Sequence, residues 1–155
     1  MRVSQILGLC SVLSLSSCGE PGVLRVVLLT QESANPITEN SKYEQMVREA
    51  VGLLGYNTRF VTRSRGAVKI ELIPVEGLHF TGRELTDEES RCFRSGWAVP
   101  FAAENVAHEI GHMLGLEHVS DENNLMSPNG ERRGAQIFFN QMDTIDFNID
   151  ELGGC

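Results

Sequence analysis

Positive charge is scarce in this sequence and never forms a run. Its 155 residues hold 13 Lys+Arg against 21 Asp+Glu, a formal net charge of −8 at pH 7. Phosphate binding needs a basic face, so this balance argues against a nucleic-acid partner. The three arginines between Arg59 and Arg65 read as a solvated strand edge or loop. Beyond the N-terminus no apolar run is long enough to cross a bilayer. Internal repeats and low-complexity linkers are absent, and no tyrosine follows Tyr56. With 41% hydrophobic and 22% charged residues the composition is globular, and the length suits one domain with a real core.

What is present begins with an export layout. Arg2 gives a minimal positive start, Ile6 to Leu15 a short apolar stretch, and small residues follow. Leu15-Ser16-Ser17-Cys18 resembles a bacterial lipobox, in which the cysteine is lipidated and becomes the mature N-terminus. The alternative is an ordinary secretory signal cut nearby. The expected organisation is a signal peptide over 1–17, a short lipid-anchored tether over 18–22 and one domain over 23–155. The protein would then be exported, as a bacterial lipoprotein on the periplasmic side or the cell surface, or secreted. Its membrane contact would be the lipid alone.

Four cysteines then sort themselves. Cys10 leaves with the signal and Cys18 carries lipid. Cys92 and Cys155 remain, either as one disulfide or as two free thiols. A disulfide would pin the C-terminus to the middle of the fold and stabilise by about 3–4 kcal/mol in the chain-entropy picture.

Residues 23–30, VLRVVLLT, are nearly all apolar, as in a strand buried on both faces. A loop with Asn35-Pro36 follows. Tyr43, Met46, Val47, Ala50, Val51 and Leu54 then recur at helical spacing, with a Ser41/Glu44 capping box and Gly55 as the stop. Residues 58–62 and 68–75 read as strands, the second alternating Val68, Ile70 and Leu72 with Lys69 and Glu71. Strand, helix, strand implies a βαβ unit. The segment 77–96 reads as a glycine-punctuated turn or short helix, followed by a brief strand ending at Pro100.

The histidines are concentrated in residues 108–118, HEIGHMLGLEH. From Phe101 to Leu116 the apolar positions are helical, so His108 and His112 project from one face, one turn apart. Both could reach a single zinc ion at about 2.0–2.1 Å. Glu109 would flank the metal and hold a water. A straight helix would carry His118 roughly 9 Å past His112, so the chain must turn at Gly115 to return it.

The pattern His108-Glu109-x-x-His112-x-x-Gly115-x-x-His118 resembles the zinc site of metzincin metalloproteases, with Met126 in NLMSP as the candidate Met-turn. Met126-Ser127-Pro128, without a later tyrosine, is similar to matrixins. That resemblance implies an α+β, three-layer fold: a small twisted mixed sheet, an N-terminal βαβ unit, an active-site helix, a Met-turn and a C-terminal helix. The last would span 134–149, GAQIFFNQMDTIDFNI, with Ile137, Phe138, Met142 and Ile145 facing the core. It further implies one catalytic Zn2+, Met126 as an apolar floor beneath the histidines, and a specificity pocket shaped by Ser127 to Gly134. The second, structural zinc of animal matrixins would be absent, because only His79 remains, and His79 reads as a surface or structural residue. The first strand begins within five residues of Cys18, so the inhibitory propeptide common among matrixins is not expected after the signal. Calcium is left open.

The resemblance implies a zinc endopeptidase acting on protein or peptide, a monomer, with His108, His112 and His118 as ligands and Glu109 as general base. The competing reading is a zinc-binding lipoprotein that kept the fold as a binding module without activity. A purely structural zinc normally takes four protein ligands and would have no use for Glu109.

Overall fold

The computed structural model describes residues 22–30, 42–63, 65–73, 92–128 and 132–155. The export signal and Cys18, the Asn35-Pro36 loop, the Ser41 cap, His79 and the segment 77–91 lie outside the described residues.

Four strands form one sheet in the order β2-β1-β3-β4: β1 Val23–Thr30, β2 Asn57–Phe60, β3 Ala67–Leu72 and β4 Phe93–Ala98. Where the sequence reading had a mixed sheet, all three pairings among the described residues are parallel. Leu24, Val26 and Leu28 of β1 are buried, and so is Val27 on the opposite face, as an apolar central strand requires. The edge strand β2 alternates exposed and half-buried positions. Helix α1 (Lys42–Leu53) connects β1 to β2. Its Val47, Ala50, Val51 and Leu54 are fully buried, with Tyr43 and Met46 packed beside them.

Helix α2 (Ala103–Met113) follows Pro100 and packs against α1 and β4. The final helix, α3, spans Phe139–Gly153 rather than 134–149. Residues 135–138 are extended instead: Leu125 N–H donates to the Gln136 carbonyl at 2.8 Å, and Gln136 N–H donates to Asn123 at 3.0 Å. Ile137 and Phe138 therefore precede the helix, half-buried, while Ile145 is buried as expected. Gln141 Oε1 accepts the Phe138 N–H at 2.8 Å and so caps the true helix start.

Cys92 and Cys155 form a disulfide with a Cα–Cα distance of 5.3 Å. It ties the end of α3 to the start of β4.

Candidate metal centre

Helices α1 and α2 end in the same way. At α2 the N–H of Gly115 donates to the His112 carbonyl at 3.0 Å and that of Leu116 to the Gly111 carbonyl at 2.9 Å. Gly115 has φ +84°. This is a Schellman motif, and its left-handed residue reverses the chain immediately after the second histidine. The same motif closes α1 through Gly55 at φ +91° and Tyr56. The turn predicted from the spacing is thus present, and it returns His118 to the helix.

The three imidazoles converge. Each Nε2 of His108, His112 and His118 lies 3.1 Å from the other two. Ring centroids are 4.7–5.1 Å apart. Two Nδ1 atoms face backbone carbonyls, His108 toward Leu125 at 2.8 Å and His112 toward Leu116 at 2.8 Å. A carbonyl only accepts, so in both rings Nδ1 carries the proton and Nε2 presents a lone pair. Lone pairs facing each other at 3.1 Å do not satisfy one another.

A cation resolves this. Tetrahedral ligands about 2.0–2.1 Å from zinc lie roughly 3.3–3.4 Å apart, close to the observed triangle. The carbonyl partners fix tautomer and ring orientation, as the outer shell of a histidine metal site does. Burial also holds His108 down at about 4, so that its ring is neutral at pH 7. The donor set fits a zinc ion.

Glu109 sits beside His108 on α2, half-buried. Burial raises its carboxyl above the ordinary range, while His112 and Arg132 pull it the other way. Met126 is fully buried. A Cβ at Gly111 would stand 2.6 Å from Met126 Sδ, so Met126 approaches α2 this closely only because residue 111 has no side chain.

Several contributors had little or no local signal in the sequence. Gly111 had one, since glycine inside a helix costs about 1 kcal/mol relative to alanine and calls for a reason. The carbonyls of Leu116 and Leu125 had none. Nor did the buried amide pair Asn124 and Gln141. Asn124 Nδ2 donates to Gln141 Oε1 at 2.7 Å, and Asn124 Oδ1 accepts the Met126 N–H at 2.8 Å. This pair joins the Met-turn to the start of α3.

Parallel sheet, histidine-bearing helix and convergent third histidine together are compatible with a zincin-like domain. A family model, Matrixin (Peptidase_M10), matches residues 94–149, the stretch from β4 through most of α3. Match and histidine cluster support a matrixin-like domain and a metallopeptidase at the level of the family. No curated protein and no solved structure matches the chain.

Proposed function

We propose that this protein is a zinc-dependent endopeptidase. The observation that carries the reading is the triangle of three Nε2 atoms at 3.1 Å, two of them held as acceptors by their Nδ1 carbonyl bonds, with a half-buried glutamate next to the first histidine. His108, His112 and His118 would hold the ion. When bound, zinc supplies a Lewis acid that polarises a peptide carbonyl and lowers the pKa of water toward about 7.

The chain's own residues supply the proton handling. Glu109, with its carboxyl raised by burial, is a stronger base than an exposed glutamate. Its carboxylate takes the proton of the attacking water and then passes it to the amine that departs as the C–N bond breaks. His108 and His112 are held in orientation by Leu125 and Leu116, so neither ring must reorganise. The substrate is a protein or peptide and the protein a monomer. Its export, with Cys18 lipidated, rests on the layout of residues 1–18, and mass spectrometry of the mature N-terminus tests it.

The decisive comparison uses unfolded protein substrates with zinc supplied. Wild type cleaves them, and Glu109→Ala binds zinc equally but turns over at least about a hundredfold more slowly. Equal cleavage by the two proteins refutes the assignment.

A further inference from the structure

Arg132 follows the Met-turn segment and holds an unusual position. Its Nη2 donates to Asn105 Oδ1, and its Nη1 lies 3.4 Å from the Leu125 carbonyl. That carbonyl also accepts the His108 Nδ1 proton. The guanidinium is half-buried, and among the described residues both of its acceptors are neutral. Two of its five N–H groups are thereby used, and among the described residues no carboxylate pairs with it directly, although its charge is felt at Glu109. The three N–H groups that remain can take up a carboxylate without breaking an ion pair.

The place where an anion could arrive is adjacent. A cavity of about 310 Å³ is lined by Ala102, Glu104, Asn105, Arg132, Gly134 and Ala135, together with Arg133. Asn105 precedes Glu109 by one helical turn, about 6 Å along the axis, and lies on the same face. A residue of an extended peptide spans about 3.3–3.6 Å, so a side chain near the bond held at Glu109 reaches this cavity. Two further features set its charge. Arg133 is neutralised by Glu122 at 3.2 Å. The first turn of α2 has no side-chain cap at Ala102, and its free N–H groups favour an anion, offset in part by exposed Glu104.

We propose that this cavity receives an acidic side chain of the peptide substrate, and that Arg132 is the residue that reads its carboxylate. The proposal rests on the endopeptidase reading and names a substrate class for it. Arg132 is suited to the task because its planar fork pairs with a carboxylate through two parallel bonds.

A peptide library, matched in pairs that carry Glu or Gln at each position around the scissile bond, tests this with the zinc-loaded protein. At one position Glu is preferred by about tenfold or more. Arg132→Gln abolishes that preference, Arg132→Lys keeps part of it, and Glu104→Gln strengthens it. A preference for Lys, no preference, or one that survives Arg132→Gln overturns the proposal while leaving the peptidase reading intact. Calorimetric binding of the same Glu and Gln peptides to zinc-loaded Glu109→Ala supplies the second readout. If wild type cleaves nothing but Glu peptides bind more tightly in an Arg132-dependent way, the peptidase reading falls and the anion site stands.

Discussion

Met126 Sδ occupies the space that a side chain at Gly111 would fill, 2.6 Å from where a Cβ would be. The turn that carries Met126 and helix α2 are therefore fitted closely to each other at Gly111. Gly111→Ala must push Met126 away or shift the helix. We expect a loss of about 1–3 kcal/mol in stability, as for overpacked cores, with weaker zinc binding. Helix propensity alone predicts the opposite, a gain of about 1 kcal/mol. Urea denaturation with and without zinc decides between them.

The amide pair that holds the turn is equally exposed to test. Asn124 is fully buried and Gln141 nearly so. Asn124→Leu leaves the Met126 N–H and the Gln141 Nε2 without their acceptor, while Gln141 Oε1 keeps the Phe138 N–H, at a cost of about 1–3 kcal/mol. Gln141→Leu removes the acceptor for Phe138 and one partner of Asn124. The double substitution should cost less than the sum, and strict additivity in denaturant midpoints argues against the coupling.

Each histidine is needed to complete the triangle. His118→Ala removes the ligand returned by the Gly115 turn, leaving two on one helix. Zinc affinity in competition with a chelator should fall by several orders of magnitude while the helix content by circular dichroism holds. An unchanged affinity removes His118 from the site.

Acid should destabilise the metal-free protein through His108. Its folded pKa of about 4 lies below the ordinary 6.5, so the unfolded chain binds the proton first as pH falls. The stabilisation is complete above pH 6.5 and is lost as pH drops through 6.5 toward 4, with a slope approaching 1.4 kcal/mol per unit, about one proton's worth. Glu109 acts with the opposite sign: its raised carboxyl contributes stability below its ordinary 4.5 that is lost as pH rises. Urea midpoints at pH 5 and 7, with chelator and in Glu109→Gln, isolate the histidine. A flat profile there contradicts the assignment.

Reduction of the disulfide tests how α3 is tethered. Cys92 and Cys155 are 63 residues apart, which corresponds to about 4 kcal/mol in the chain-entropy picture. Thermal unfolding of Cys92→Ser should drop accordingly, and a change within error would mean that packing of α3 alone suffices.

The sequence by itself determined the features that depend on local spacing. Histidines four apart on an apolar-faced helix must share a face, and a glycine three residues on permits the reversal, so the convergence of the three histidines was legible before any fold was known. The nearly continuous apolar run of β1 and the helical period of α1 were legible for the same reason. The start of α3 was not. Ala135, Ile137 and Phe138 are apolar and suit a helix, yet the backbone of Gln136 between them pairs with Asn123 and Leu125, strand-like partners more than ten residues away. The tertiary structure alone decided which carbonyls orient His108 and His112, why residue 111 must be bare, and that Asn124 meets Gln141. Those contacts join segments that touch only once the chain is packed, and backbone carbonyls carry no identity that a sequence could display.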